Sequence, residues 1–253
     1  FAINGAISGA YQLTLAQTGT VSLNTVNTYS AGTIINSGTL LLGNGYGLPQ
    51  NKDVTINGGT LDINGYSVSI GNFYIDGGTT KNSGSDSAEF TAGTYIVQTT
   101  SSANLDVILA GATANFTMSG LGSVTLTRAN TFGGTTTVNA GQTLILSQGG
   151  ILADSSALIV NGVFDISTIT DSSASIKTLS GSNGAAQILL GDKNLSITNG
   201  GHDATGNSFP GVIADNNGSG HTGGSLTLSG GSETLSGTNT YTGSTTILGP
   251  STL

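Results

Sequence analysis

One phrase of three residues, Asn followed by Thr and an aromatic residue, occurs three times in the chain together with its flanking text. The copies are Asn27-Thr28-Tyr29, Asn130-Thr131-Phe132 and Asn239-Thr240-Tyr241. They lie 103 and then 109 residues apart, and the stretches GTVSLNTV, GSVTLTRA and SETLSGT stand just before them. The sequence therefore contains about two and a half copies of a unit of roughly 100 residues, with motif copies near 21–44, 124–146 and 233–253.

Short segments throughout the chain alternate apolar and polar residues, which is typical of β-strands with one buried face. Examples are Val54-Thr55-Ile56, Val68-Ser69-Ile70 and Leu226-Thr227-Leu228. Corners such as Asn64-Gly65 and Asn161-Gly162 separate such strands, because Gly and Asn accept the left-handed backbone angles of sharp turns. Amphipathic helical windows are nearly missing. These strands can form either a hairpin-rich sandwich or a parallel coil of stacked rungs.

The long-range repetition favours the coil, because a solenoid is built from repeated units that contact only their neighbours. We therefore predict an all-β fold, a parallel β-helix formed by residues 1–253 as one unit. Coils of about twenty residues, each rising ~4.8 Å, would give on the order of eleven coils and a length of roughly 50 Å. Because Phe1 is not a natural start and the final PSTL stops within the repeated phrase, we expect a fragment of a longer chain.

The repeated triplets have a structural interpretation. Tyr29, Phe132 and Tyr241 are the bulkiest residues of their phrases and follow an Asn-Thr pair suited to a corner, so we expect them to fill the interior beside a turn. In TTTVNAGQTLIL, the alternation places four residues on one side of the chain: Thr136, Val138, Leu144 and Leu146. The alternative is a ladder of ligand-binding groups along the rod.

Charge and composition exclude several classes of partner. Charged residues make up only 7% of the chain, against about a quarter in a typical soluble domain. The net charge is −8 and the five basic residues are scattered singly, so we expect neither nucleic acid nor an anionic membrane surface as a partner. With no cysteine, the chain has no disulfide framework and no thiolate chemistry. No apolar run approaches the ~18 residues of a membrane helix.

The phrases VTLTRANTFGGTTTVNAGQTL and SLTLSGGSETLSGTNTYTGSTTILGPSTL resemble the autotransporter-associated β-strand repeat, which occurs in passenger domains of bacterial type V secretion systems. GTVSLNTVNTYSAGTIINSGTL is similar as well. The resemblance implies a right-handed parallel β-helix, exported through the outer membrane and displayed on, or released from, a Gram-negative cell. It also implies that the repeats form a stalk that helps secretion, and that membrane anchoring uses a C-terminal barrel outside this sequence.

One segment departs from the repeat pattern. KNSGSDSAEF, from Lys81 to Phe90, fits no repeat phrase. We expect it to form an exposed loop, and it is the first place to search for a binding contact.

Few residues are placed to carry chemistry. Asp62 and Asp165 occupy matching places in separate units, so we expect them to be several rungs apart and solvated on the outside. His202 and His221 share a Gly-rich stretch with Asp203 and Asp215, which could hold a metal, although exposed loop histidines are the simpler interpretation.

Arg128 stands where the third copy has Gly237, which predicts an exposed position. From these patterns we identify no catalytic residue, no metal site and no cofactor, and predict that the chain is not an enzyme.

Three functions remain open at this stage. The first is a surface-displayed, adhesin-like passenger stalk, extracellular or anchored at the outer membrane, which contacts a host or matrix surface or glycans. The second is a self-assembling layer or filament, in which the partner is another copy of the chain. The third, a polysaccharide-active β-helix enzyme, would need clustered carboxylates that the sequence does not supply.

Overall fold

The computed structural model describes residues 1–199, 207–216 and 220–253, and all of its regular elements are β-strands. The first ten are β1 (Ala2–Ile3), β2 (Ser8–Gly9), β3 (Leu13–Leu23), β4 (Thr28–Tyr29), β5 (Thr33–Leu42), β6 (Val54–Ile56), β7 (Thr60–Asp62), β8 (Val68–Ser69), β9 (Asn72–Ile75) and β10 (Gly78–Lys81). The next ten are β11 (Glu89–Thr91), β12 (Thr94–Val97), β13 (Ser102–Asp106), β14 (Ile108–Ala110), β15 (Asn115–Met118), β16 (Ser123–Leu126), β17 (Thr135–Val138), β18 (Thr143–Gln148), β19 (Ala157–Val160) and β20 (Val163–Ile169). The last nine are β21 (Ser173–Ile176), β22 (Leu179–Ser180), β23 (Gln187–Leu189), β24 (Asn194–Ile197), β25 (Asn207–Phe209), β26 (Val212–Ala214), β27 (Ser225–Leu228), β28 (Glu233–Leu235) and β29 (Thr245–Ile247).

Each coil of the chain contributes strands to three faces in turn, and strands on one face pair in parallel with the next coil. The first face carries β3, β5, β6, β9, β12, β15, β17, β19 and β22. The second face carries β1, the later halves of β3 and β5, and then β7, β10, β13, β16, β18, β20, β23 and β26. The third face carries β2 and β4, then β8, β11 and β14, and finally β21, β24, β27 and β29. The predicted all-β parallel β-helix is confirmed, with about eleven turns.

The two strands β25 and β28 extend the first face beyond β22. The Gly181 N–H donates to the Ser208 carbonyl at 3.0 Å, and β25 then pairs with β28. Coil length varies along the rod: pairing on the first face joins residues 19 apart at Val54 and Phe73, and 22 apart at Phe73 and Tyr95. The third-face pair Asn194 and Ser225 spans 31 residues.

Alternating strands place their apolar side chains in one continuous interior. Thr136, Val138, Leu144 and Leu146 all point inward and are at most 1% exposed. Aromatic rings from neighbouring coils pack in the middle of the rod: Phe73 meets Phe90 edge-on at a centroid distance of 5.0 Å. Burial of such side chains is the main favourable term in the stability of the rod.

Close stacking of the coils requires small residues at some corners. At Gly122, a Cβ atom would lie 1.9 Å from the carbonyl oxygen of Ser101 in the coil below. A larger residue there would force the two coils apart, so glycine at this corner allows the coils to stack closely. No helix in the described part of the chain is long and apolar enough to cross a membrane.

Candidate functional site

The asparagine of each repeated triplet bonds to a neighbouring coil. Its side-chain oxygen accepts a backbone N–H of the preceding coil in all three copies. The pairs are Asn27 with Ile7 at 2.8 Å, Asn130 with Leu109 at 3.0 Å and Asn239 with Ile213 at 2.9 Å. In the first two copies the amide nitrogen also donates to the following coil, from Asn27 to the Gly47 carbonyl at 2.8 Å and from Asn130 to the Ile151 carbonyl at 3.2 Å. These two asparagines therefore tie three successive coils together.

The aromatic residue of each triplet lies beside this asparagine. Tyr29 and Phe132 are each 1% exposed, whereas Tyr241 is partly buried against the core. The Tyr29 hydroxyl forms a hydrogen bond with the Thr33 hydroxyl at 2.7 Å, and burial raises the pKa of Tyr29 to about 12, although that hydrogen bond lowers it in part. Phe132 stacks on Phe116 with a centroid distance of 5.9 Å.

The threonine is the only exposed member of each triplet. Thr28, Thr131 and Thr240 all face solvent. Because the asparagine amides bond to the backbone and the rings are wholly or partly buried, the triplets offer a ligand little more than a threonine hydroxyl.

The three triplets do not lie on one face. The Thr28 N–H donates to Ile7 and the Thr131 N–H donates to Leu109, both at the third face, while the Thr240 N–H donates to Ile213 of β26 on the second face. The first two copies are separated by five complete coils along the first face, from Leu13 to Phe116. The third is therefore displaced by one face, and the triplets cannot form a single ladder of ligand groups.

The expectation that Asp62 is solvated on the outside is wrong. Its carboxyl is 2% exposed and accepts hydrogen bonds from the Ser83 N–H, the Ser83 hydroxyl and the Asn64 N–H at 3.1, 2.8 and 2.9 Å. Lys81 lies 3.2 Å away. The next coil covers the carboxyl and supplies most of these partners. Burial acts to raise the pKa of Asp62, but the Ser83, Asn64 and Lys81 contacts outweigh it and hold that pKa below its usual range.

Asp165, at the matching place in the other unit, is partly exposed and, among the described residues, accepts the Ser167 N–H of its own turn at 2.8 Å. Asp62 and Asp165 stand on β7 and β20, five pairings apart on the second face. The structure therefore does not bring the two carboxylates together.

Arg128 is less exposed than expected, because acidic residues of two preceding coils hold its side chain. Its guanidinium donates from Nε to Asp106 at 2.5 Å and from Nη1 to Asp86 at 2.8 Å, and its side chain is 28% exposed. The hydrogen bond to Asp106, with help from Asp86, raises the pKa of Arg128. Asp86 belongs to the segment from Lys81 to Phe90 that matches no repeat phrase, so this loop is tied to the rod by the only arginine of the chain.

Two cavities lie on the third face, and this arginine lines one of them. One, of about 410 Å³, is lined by Asp86, Ile108, Thr127, Arg128 and Gln148 among others. The other, of about 240 Å³, is lined by Tyr46, Gln50, Ser67, Glu89 and Thr91 among others. They meet where Glu89 of β11 pairs with Ile108 of β14. We call the two together the third-face groove.

The histidine-rich stretch that is the alternative metal site falls only partly within the described residues. His202 and Asp203 lie outside them, and His221 is exposed. Asp215 is 4% exposed and accepts the Thr242 hydroxyl at 2.7 Å. Within the described ranges, no group of three or more His, Asp or Glu side chains could hold a metal.

Sequence reasoning missed one residue, Glu233. It is 3% exposed, and burial raises its pKa to about 8, although the Leu179 backbone lowers it in part. The signal was present in the aligned phrases, because Glu233 in SETL occupies the place of Val124 in SVTL. Val124 is fully buried, so an inward-facing carboxyl could have been predicted from the repeat alone.

Fold and site together define a repeat protein, a β-solenoid whose recurring residues join its own coils. The family model described as passenger-associated transport repeat matches three segments, residues 13–42, 116–146 and 230–249. Each contains or overlaps one of the predicted motif copies, and the resemblance to an autotransporter passenger domain with associated repeats is confirmed. No curated protein matches the chain, and no solved structure does. Passenger repeats of this kind imply an extracellular or cell-surface protein.

Proposed function

We propose that the chain is a stalk segment of an adhesin-like autotransporter passenger, displayed at the outer membrane or released from it. The observation that carries this proposal is the use of the three transport repeats. Their asparagines join successive coils and their aromatic rings pack against or within the core. Residues repeated for that purpose have a structural role in the rod and no catalytic one.

The contact with a partner is proposed to lie at the third-face groove. This surface gathers charge in a chain that has little: Asp86, Glu89, Asp106 and Arg128 all stand in or beside it. Arg128 is absent from the aligned places of the other two copies, which have Thr25 and Gly237. The groove therefore contains side chains that the repeated coil itself does not require.

We propose a neutral glycan chain as the ligand of the groove. A sugar offers hydroxyl groups that donate and accept, and the groove sets carboxylates beside guanidinium and amide donors. Tyr46 is 52% exposed at one end, where an aromatic face can pack against the apolar face of a sugar ring. A peptide strand would need an unpaired sheet edge or an apolar pocket. The central strand below this groove, β11, pairs on both sides, with β8 and β14, and Ile108 is the one large aliphatic side chain of β14 that lines the groove.

Sedimentation velocity over a wide concentration range tests the stalk. We expect an elongated monomer whose sedimentation coefficient does not depend on concentration beyond ordinary non-ideality. Growth into larger species would support the self-assembling layer instead, and a compact monomer would contradict the rod.

Binding to an array of neutral oligosaccharides tests the groove. We expect at least one glycan to bind, with a loss of tenfold or more in both Arg128→Ala and Tyr46→Ala. Lys177→Ala is the matched control, because Lys177 is a basic residue of the same face outside the groove and its ammonium group donates to the Asp154 carbonyl. Absence of binding across the array, or equal binding by all variants, would refute the proposed ligand while leaving the stalk in place.

A further inference from the structure

A carboxyl group interrupts the interior of the rod near its C-terminal coils. Glu233 is the first residue of β28 and occupies an inward position on the first face. Both of its side-chain oxygens are buried, and among the described residues neither has a partner at good hydrogen-bond geometry, although the Leu179 backbone lies close enough to lower the pKa of Glu233 in part. The aligned residues in the other two repeats are Val21 and Val124. At this position the repeat normally supplies an aliphatic side chain, so the coil itself does not require a carboxyl group.

The neighbouring coil does not satisfy this carboxyl. Asn207 of β25 pairs directly with Glu233, and its side-chain nitrogen is also buried without a partner. Towards the following coil, the Glu233 backbone N–H donates to the Thr252 carbonyl at 2.9 Å. This bond does not involve the carboxyl group. The contact between β25 and β28 is therefore a polar layer between apolar ones, and an unpaired polar group in such a place is costly.

No charge in the neighbouring elements compensates an ionised Glu233. Lys177, just before β22, donates to the Asp154 carbonyl. Asp215, just after β26, is engaged by Thr242, and the Tyr241 hydroxyl bonds with that of Thr245. Among the residues that the structure describes, none forms a salt bridge with Glu233. Desolvation therefore dominates, and the protonated, neutral form is the one that fits the docked coils.

We propose that Glu233 makes the junction of β25 and β28 a pH-dependent clasp, which holds the C-terminal coils from Ser225 onward in mildly acidic solution and loosens as the pH rises. When the coils separate, the carboxyl reaches water and releases its proton to solvent. This device is independent of the stalk and groove functions proposed above.

The pH window follows from the two protonation equilibria. In the docked state the pKa of Glu233 is about 8, and in the undocked state it returns towards its ordinary value of 4.5. A carboxyl whose pKa is raised on docking stabilises the docked form below the lower value, and this contribution is lost as the pH rises towards the upper one. Docking therefore weakens between about pH 5 and pH 8 and changes little beyond.

Native-state hydrogen exchange at pH 5, 6.5 and 8, corrected for the intrinsic exchange rate, tests the clasp. In the wild type we expect the protection of amides in β27 and β28 to fall by up to roughly tenfold per pH unit, and by a few hundredfold in all between pH 5 and pH 8. Glu233→Gln, which keeps the shape but cannot ionise, should show no such fall. In Glu233→Val the protection of these amides should also be independent of pH, and at pH 8 it should exceed that of the wild type, because Val stands at this place in the other repeats.

Two results would overturn the proposal. One is a wild-type protection that does not change between pH 5 and pH 8. The other is the same pH dependence in Glu233→Gln, which would assign the effect to another titrating group. Amides of β15 and β16, in the repeat that carries Val124, serve as the internal reference, and their corrected protection should not follow this pH profile.

Discussion

Replacing Asn130 by alanine tests whether the repeated asparagines hold the coils together. The Asn130 side chain accepts the Leu109 N–H at 3.0 Å and donates to the carbonyls of Ile151 and Arg128 at 3.2 and 2.9 Å. Two of these bonds join different coils, and each is worth about 1 kcal/mol. The buried Leu109 N–H would also lose its acceptor, which adds about 1 to 2 kcal/mol. We therefore expect Asn130→Ala to destabilise its coils by about 3 kcal/mol.

The third triplet supplies a matched comparison for this variant. Asn239 is half-buried and makes one hydrogen bond to the preceding coil, to the Ile213 N–H. Asn239→Ala should therefore cost less, about 1 kcal/mol, because this hydrogen bond is only partly buried and water can replace the lost acceptor of the Ile213 N–H.

Hydrogen exchange at single amides is the appropriate assay, since long repeat arrays do not always unfold in one step. The opening free energy of the Leu109 amide should fall by about 3 kcal/mol in Asn130→Ala. Equal losses at Leu109 and Ile213 in the two alanine variants, or a loss below about 1 kcal/mol in Asn130→Ala, would refute the coil-joining role.

Three further substitutions probe the packing of the rod. Phe116→Ala should lower the free energy of unfolding by about 3 to 5 kcal/mol, because it opens a cavity among buried aromatic rings. The measurement is urea unfolding followed by circular dichroism, with Leu121→Ala as the control, since Leu121 is 74% exposed and its loss should cost under about 0.5 kcal/mol. Similar losses in the two variants would contradict the packing. Asp62→Asn should lower the free energy of unfolding by about 1 kcal/mol at pH 7. Because folding lowers the pKa of Asp62, the difference in stability between wild type and variant should disappear as the pH falls below about 4. A difference that persists at that pH would exclude the carboxylate as its cause. Gly122→Ala should cost about 1 to 3 kcal/mol, since its Cβ would lie 1.9 Å from the Ser101 carbonyl oxygen, and an unchanged unfolding midpoint would show that the coils can separate freely there.

Much of the fold follows from local sequence. Alternation in segments such as Thr135–Val138 fixes which side chains point inward, and the long-range repetition selects stacked coils over hairpins. The burial of Asp62 could not be predicted in this way, because its partners Lys81 and Ser83 stand in the next coil. Coil length varies from 19 residues to 31, so the residue that covers a given position cannot be found by counting.

Glu233 shows a different limit. Its inward position was visible in the alignment of SETL with SVTL, since strand alternation treats both phrases alike. Its unpaired state was not visible, because that depends on Asn207 in the preceding coil and on where the third repeat lies around the rod.

The displacement of the third repeat by one face has a consequence for how such rods are built. The same phrase folds on the third face around Asn130 and on the second face around Asn239, so two of the three sides of the coil accept it. A rod with this tolerance can gain or lose one strand and its turn, and not only a whole coil. Each such change advances everything downstream by about a third of a revolution. The orientation of the downstream coils about the rod axis is thus an adjustable quantity, and it can change while the stacking of the coils stays the same.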